Sequence, residues 1–198
     1  ANQIGANSQL ARAMAYYHDL GKTENPTMFV ENQIGYSNPH ENLLPYESAN
    51  IIKSHVTEGV KLAKRFKIPE IVYKGIIEHH GDGVIRYFYE KEKLDNSDVL
   101  KEDYRHLGQK PSSKESAILM LADSLEAACR AIFMVEDADD EKIKNVIEEI
   151  FNEKIADNQL SKAPITFQEL SIIKDSFQKS LEGLYHQRVL YPEISEEE

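Results

Sequence analysis

The chain reads as an all-α fold, and three observations predict it. Apolar residues recur at helical spacing along most of its length. Helix starts are marked by Ser112-Ser113-Lys114-Glu115, by Thr166-Phe167-Gln168-Glu169 and by Pro69. Finally, the apolar run Val84 to Tyr89 leaves strand against helix open, but no other segment offers it a sheet partner. A helical bundle follows.

In order, the first helix leads through Leu10, Met14 and Tyr17 into Ala15-Tyr16-Tyr17-His18-Asp19-Leu20-Gly21-Lys22, with Asn7 or Ser8 as its N-cap. Gly21 is expected to close it in the left-handed conformation. The segment Thr23 to Tyr46 holds Pro26, Pro39, Pro45 and Gly35 and is expected to be irregular. His40, inside it, reads as a loop histidine making local hydrogen bonds. A long helix spans about Pro45 to Lys67, aligning Ile51, His55 and Gly59 beside Ile52, Val56, Val60 and Ala63. The next, Glu70 to His80, turns Ile71, Val72, Ile76 and Ile77 inward and ends in His79-His80-Gly81. Val84 to Tyr89 is assigned to helix. Glu90 to Pro111 is charge-dense and a candidate mobile flap, within which Tyr104, Arg105, His106 and Lys110 are candidates to meet a ligand, with an exposed, solvated loop as the open alternative.

From Ser112 a helix runs to about Met134, with Leu119, Met120, Asp123, Ala127 and Arg130 on one side. An acid among Leu and Met needs a partner, either a metal or Arg130. Two further helices carry apolar stripes for packing. One starts near Asp140, with Ile143, Val146, Ile147, Ile150 and Phe151. The other starts after Thr166, with Leu170, Ile173, Phe177, Leu181 and Leu184.

At 198 residues and 41% hydrophobic, the chain suits one domain, 1–198, around one substantial core. The formal charge of −11, with an acidic tail at Glu196 to Glu198, argues against a duplex nucleic acid partner. A small anion held by metal ions remains compatible, because local charge decides that case. Lone Cys129 fits a reducing compartment. No signal peptide or run of about 18 apolar residues appears, so the fragment is expected to be soluble. Its start, Ala-Asn-Gln-Ile, reads as the interior of a longer protein.

The chemistry lies in His18, Asp19, His55, His79, His80 and Asp123, imidazoles and carboxylates on otherwise apolar helix faces. Buried without partners, such groups are costly, and shared coordination of a divalent cation satisfies them together. This donor set suits zinc, manganese, iron or nickel better than calcium. Taken singly, each has a plainer reading: a helix-end acid–base pair, a satisfied core histidine, or histidines interacting with a helix dipole.

Together these residues resemble the HD superfamily of metal-dependent phosphohydrolases. His18-Asp19 matches the pair that gives the family its name, and Asp123 in Met120-Leu121-Ala122-Asp123-Ser124 matches its closing aspartate. More narrowly, Tyr16-Tyr17-His18-Asp19-Leu20-Gly21-Lys22, Glu31-Asn32-Gln33, Asn38-Pro39-His40, Ser54-His55-Val56, His79-His80-Gly81 and Lys110-Pro111 are similar to the cytoplasmic HD domain of seven-transmembrane HD receptors, the PgpH-like family. The likeness spans Ala6 to about Arg130.

The resemblance implies a bundle with a dinuclear metal site between helices and hydrolysis of cyclic di-AMP to the linear dinucleotide. It implies two divalent transition-metal ions, manganese or iron, bridged by Asp19. His18 and Asp123 would hold the first ion, and His55, His79 and His80 the second. The expected step is attack of a metal-bridging hydroxide on phosphorus. Asp19 and Lys22 are the expected catalytic residues, with Lys22, Tyr104 and Arg105 contacting substrate. Lys22 as a solvent lysine stays open. Location on the cytoplasmic side of the membrane follows from parts of the protein outside this chain, and a homodimer is a further expectation.

One departure stands out. The family pattern opens with another histidine, on the helix ahead of the His-Asp pair, and none precedes His18; a truncated N-terminal helix is the expectation. Two alternatives remain: a mononuclear HD nucleotidase or nucleoside-triphosphate hydrolase, and a degenerate HD bundle serving regulatory binding.

Overall fold

The computed structural model describes residues 1–33, 38–133 and 139–186. Gly35, the expected helix end at Met134 and the acidic tail Glu196 to Glu198 lie outside them. Seven α-helices follow in order: α1 (Ser8–Tyr17), α2 (Pro45–Arg65), α3 (Glu70–Glu78), α4 (Arg86–Asp95), α5 (Lys114–Phe133), α6 (Asp140–Ala156) and α7 (Phe167–His186). Among the described residues the only β-pairing is an isolated bridge between Val84 and Arg105. The fold is all-α, as the periodicity predicts.

Local chemistry sets the helix starts. Asn7 caps α1, its side-chain oxygen accepting from the amides of Gln9 and Leu10. Pro45 opens α2, and the Glu47 carboxylate turns back to accept from the Leu44 N–H at 3.0 Å. Thr166 and Glu169 form the expected reciprocal box: the Thr166 N–H donates to Glu169 and the Glu169 N–H donates to Thr166 Oγ1. The box expected at Ser112 is displaced by one residue. Ser113 Oγ accepts from the Ser116 amide, whereas Ser112 donates to the buried carboxylate of Glu78. Glu115 is drawn away to accept from the Asn7 amide at 2.6 Å.

α1 packs on α3 and α5, α2 on α3 and α4, and α5 on α6, which in turn carries α7. The main core joins Leu121, Leu125, Cys129 and Phe133 of α5 to Ile143, Val146, Ile147 and Phe151 of α6 and to Leu170 and Ile173 of α7. A smaller cluster gathers Ala49, Phe88 and Tyr104. Between them Met14, Ile76 and Met120 are fully buried. The layer of α1, α2, α3 and α5 is therefore backed by apolar packing.

Gly21 does not close α1 in the left-handed conformation; among the described residues the glycines with positive φ are Gly5 and Gly81. The chain turns instead into a short 3-10 helix, Leu20–Glu24, that lies against α2. A Cβ at Gly21 would fall 1.8 Å from the His55 carbonyl oxygen and 2.5 Å from the Gly59 nitrogen. This glycine serves a close backbone approach. Gly81, at φ 57, does follow its helix in the left-handed conformation.

The expected flap is ordered by hydrogen bonds. α4 and a 3-10 turn, Lys101–Tyr104, occupy part of it. The His106 N–H donates to Gly83 O at 2.8 Å and the Gln109 N–H to Ile77 O at 3.0 Å, tying the segment to the end of α3. No described helix is long and apolar enough to cross a membrane.

Candidate metal centre

Three of the site histidines, His18, His55 and His79, are anchored from behind by their own helices. His18 Nδ1 donates to Ala15 O at 2.8 Å, His55 Nδ1 to Ile52 O at 2.5 Å, and His79 Nδ1 to Ile76 O at 2.9 Å. A carbonyl can only accept, so these partners place the ring proton of each neutral imidazole on Nδ1. The Nε2 atoms then point inward, each carrying a lone pair wherever its ring is neutral. His55 Nε2 and His79 Nε2 face each other at 3.1 Å, an opposition of two acceptors that a positive charge would relieve. Fixing the outer nitrogen on a carbonyl is how proteins orient a metal-binding imidazole.

Asp19 sits among these rings. Its Oδ2 is 3.1 Å from His18 Nε2 and 2.7 Å from Lys22 Nζ. Its Oδ1 lies 3.6 Å from His55 Nε2 and 3.7 Å from His79 Nε2. That oxygen is buried without a hydrogen-bond partner. Asp123, on α5, spans the other side: Oδ1 is 3.4 Å from His18 Nε2 and Oδ2 is 3.5 Å from His80 Nδ1. Two overlapping sets emerge, His55 with His79 and His80, and His18 with Asp19 and His79, each with ligand atoms within 4.8 Å of one another. An orphaned carboxylate oxygen surrounded by inward lone pairs fits divalent cations.

The charges respond to this crowding. Burial works against a charged His18, but hydrogen bonds to Asp123 and Asp19 prevail and push it up to about 10. Burial likewise opposes ionisation of Asp19, yet His18 and His79 hold its carboxyl well below the usual carboxylate range. Asp123 follows in the same direction, its burial outweighed mainly by the hydrogen bond from His18. His55 moves oppositely, to about 4, through burial and the adjacent His79. Burial also carries His80 well below the ordinary imidazole value. One protonated imidazole thus holds two carboxylates, while His55 and His80 stay neutral.

Lys22 extends from the 3-10 turn to Asp19 and to Glu31, whose Oε1 is 2.5 Å away. Its raised pKa, with burial outweighed by those two acids, keeps it cationic at the rim. The alternative partner for Asp123 is excluded, because Arg130 is engaged by Glu126 and lies 3.8 Å from Glu31.

The structure brings His18, Asp19, Lys22, His55, His79, His80 and Asp123 together. It does not bring in the two other expected contacts. Tyr104 is 1% exposed and packs edge-on against Tyr46 and Tyr89 in the small core. Arg105 donates to Asp82 O and pairs bidentately with Asp157, pinning the end of α6. The polar, charge-dense sequence around them gave no sign of these partners, which lie far along the chain. One residue was under-read: the His106 ring stacks on His80 with centroids 4.2 Å apart, and its Nδ1 is buried without a partner.

A model of the family described as HD domain matches residues 1–128. The chain is 41% identical, over 97% of its length, to the cyclic-di-AMP phosphodiesterase PgpH of Bacillus subtilis (strain 168), and 42% identical over 98% to the Listeria monocytogenes PgpH. It spans 27% and 26% of those curated relatives. Among solved structures, the HD domain of L. monocytogenes PgpH in complex with cyclic-di-AMP superposes with a TM-score of 0.89 at 42% identity, covering 96% of this chain and 87% of that one. With the family model matched over residues 1–128 and relatives 41% and 42% identical along nearly the whole chain, this chain belongs to the HD domain family.

Proposed function

We propose that the chain is the catalytic domain of a metal-dependent phosphodiesterase that hydrolyses cyclic di-AMP to the linear dinucleotide pApA. Two divalent ions, manganese or iron, would be held by this donor set, with His18 and Asp123 on one side, His55, His79 and His80 on the other, and Asp19 shared. When bound, such ions supply positive charge at a phosphoryl group and acidify water. The chain's own residues do the rest. The Nδ1 anchors keep the rings of His18, His55 and His79 aimed inward, so little reorganisation is needed when a phosphodiester arrives. Asp19 and Asp123 offset the charge of the ions. Lys22, protonated and at the rim, neutralises a non-bridging oxygen as charge builds at phosphorus. Water adds its oxygen to phosphorus as one P–O3′ bond breaks, and the 3′ oxygen takes up a proton as a hydroxyl, so the ring opens to the linear product with a 5′ phosphate.

The observation that carries this reading is the buried, unpartnered Asp19 Oδ1 facing two imidazole lone pairs. Membrane attachment through parts outside this chain, placement on the cytoplasmic side and homodimerisation belong to the same proposal. To test it, the domain is loaded with Mn²⁺ or Fe²⁺, its metal content is measured, and cyclic di-AMP hydrolysis is followed by chromatography. Near two equivalents of metal with pApA as product are expected. One equivalent with turnover of mononucleotides, or metal with no turnover at all, would replace this reading with one of its alternatives.

A further inference from the structure

The corner that joins α2 to α3 carries a charge opposite to that of the chain as a whole. Residues 61–74 hold Lys61, Lys64, Arg65, Lys67 and Lys74 against the single carboxylate of Glu70, in a chain of formal charge −11. All five cations are exposed. Lys61 pairs with Glu58 at 2.7 Å, whereas Lys64, Arg65, Lys67 and Lys74 form no ion pair among the described residues. Two apolar side chains stand among them, Phe66 at 64% and Ile71 at 57% exposure. The Arg65 guanidinium lies over the Phe66 ring, 5.6 Å from its centroid.

The backbone of this corner is a helix-ending motif. The Ile68 N–H donates to Ala63 O at 2.8 Å and the Lys67 N–H to Lys64 O at 3.2 Å, the paired bonds of a Schellman end. Its left-handed position, at φ 57, is occupied by Lys67, where glycine is the unstrained choice. The corner therefore accepts backbone strain and carries a long cation there. It lies outside the metal centre: with a rise of 1.5 Å per residue, Lys64 is about 14 Å along α2 from His55, and Ile71 about 12 Å along α3 from His79.

We propose that the α2–α3 corner docks the domain on an anionic phospholipid surface. Lys64, Arg65, Lys67 and Lys74 meet headgroup phosphates, and Phe66 and Ile71 enter the boundary with the acyl chains. The remaining surface is net negative and is repelled by the same lipids, so this corner turns toward them. A single-stranded RNA fits less well, because it would stack on the Phe66 ring but leave Ile71 in water. The proposal is independent of the phosphodiester chemistry.

Binding is measured by flotation of the domain with vesicles of phosphatidylcholine and phosphatidylglycerol mixed three to one, and with phosphatidylcholine alone. Partition into the mixed vesicles is expected, weakening as salt is raised. No partition into them, or equal partition into phosphatidylcholine alone, overturns the proposal. A cation near the surface changes partition roughly fivefold, so Lys64→Gln, Arg65→Gln and Lys67→Gln together should lower it roughly a hundredfold. Lys67→Gly alone should lower it roughly fivefold while relieving the left-handed strain, which separates lost charge from lost fold. Phe66→Ser with Ile71→Ser should lower it by about tenfold or more at unchanged charge. Undiminished partition in any of these three proteins overturns the docking surface. A mixed-sequence single-stranded RNA is titrated at the same salt and should bind the unaltered and triply substituted proteins alike. RNA binding that the triple variant loses, in place of vesicle binding, would assign the corner to nucleic acid instead.

Discussion

At the scale of single residues, the centre works because of which nitrogen carries each proton. His18, His55 and His79 donate Nδ1 backward to carbonyls, and that second contact leaves Nε2 free to coordinate. Asp19 is shared among them, so Asp19→Ala should abolish metal pairing and hydrolysis together. Losing an outer-shell partner already costs about 10–100-fold, and a shared ligand should cost more than the upper end of that range. Metal analysis beside turnover checks it; retained metal with lost activity would reassign Asp19 to another role. Titration gives an independent prediction for protein stripped of metal. The His18 pKa is raised from 6.5 to about 10, so its stabilising charge is fully present below 6.5 and is lost as pH rises through 10. The His55 pKa is lowered from 6.5 to about 4, so the unfolded chain binds more protons between those values and stability falls as pH drops through them. Melting of the chelated protein should therefore be highest near pH 6.5 as far as these two groups are concerned, and a monotonic rise to pH 10 would contradict the His18 assignment. The identities of His18 and Asp19 were readable from the chain because an imidazole beside an acid at a helix end has few apolar uses. His106 was not, since it lies in an irregular segment where no periodicity says which way a ring turns.

At the scale of elements, the decisive contact is the short 3-10 helix Leu20–Glu24 laid against α2. It brings Asp19 and Lys22 over His55, and it can do so because Gly21 and Gly59 present bare backbone to one another. The obstacle in Gly21→Ala is the His55 carbonyl, which cannot rotate away as a side chain would. A cost at or above the upper end of about 1–3 kcal/mol for overpacking is expected, with reduced metal content because His55 and Asp19 are forced apart. Thermal melting and metal analysis of the variant check this; wild-type behaviour in both would mean that the turn lifts off α2 without consequence. The sequence placed a glycine after the His-Asp pair correctly but for the wrong reason. Helix closure is a local rule, whereas this glycine answers to a helix more than thirty positions away.

At the scale of the whole molecule, metal ions held by the proposed donor set would join four separate parts of the chain, the end of α1 with its following turn, α2, the end of α3, and α5. Ions that bind the folded form alone stabilise it by about 2.7 kcal/mol at a hundredfold excess over Kd. For a domain of this size that corresponds to a rise in Tm of roughly 5–10 °C. Chelation should lower Tm by that amount, and restoring Mn²⁺ should recover it. An unchanged Tm would separate metal binding from the fold. The α6–α7 layer should be indifferent, since its contacts are apolar packing around Phe151 and Leu170.

By itself the sequence determined the helical class, the helix starts near Pro45 and after Thr166, and the residue types of the centre, because these follow from periodicity, capping chemistry and the cost of burying bare polar groups. Only the tertiary structure decided that His79 is shared by both ligand sets, and that Tyr104 belongs to a core and Arg105 to Asp157. The reason is physical. A repeat of 3.6 residues says which face of a helix turns inward, but the position of one helix against another is set by close approaches such as Gly21 on His55, and these depend on residues that are distant along the chain.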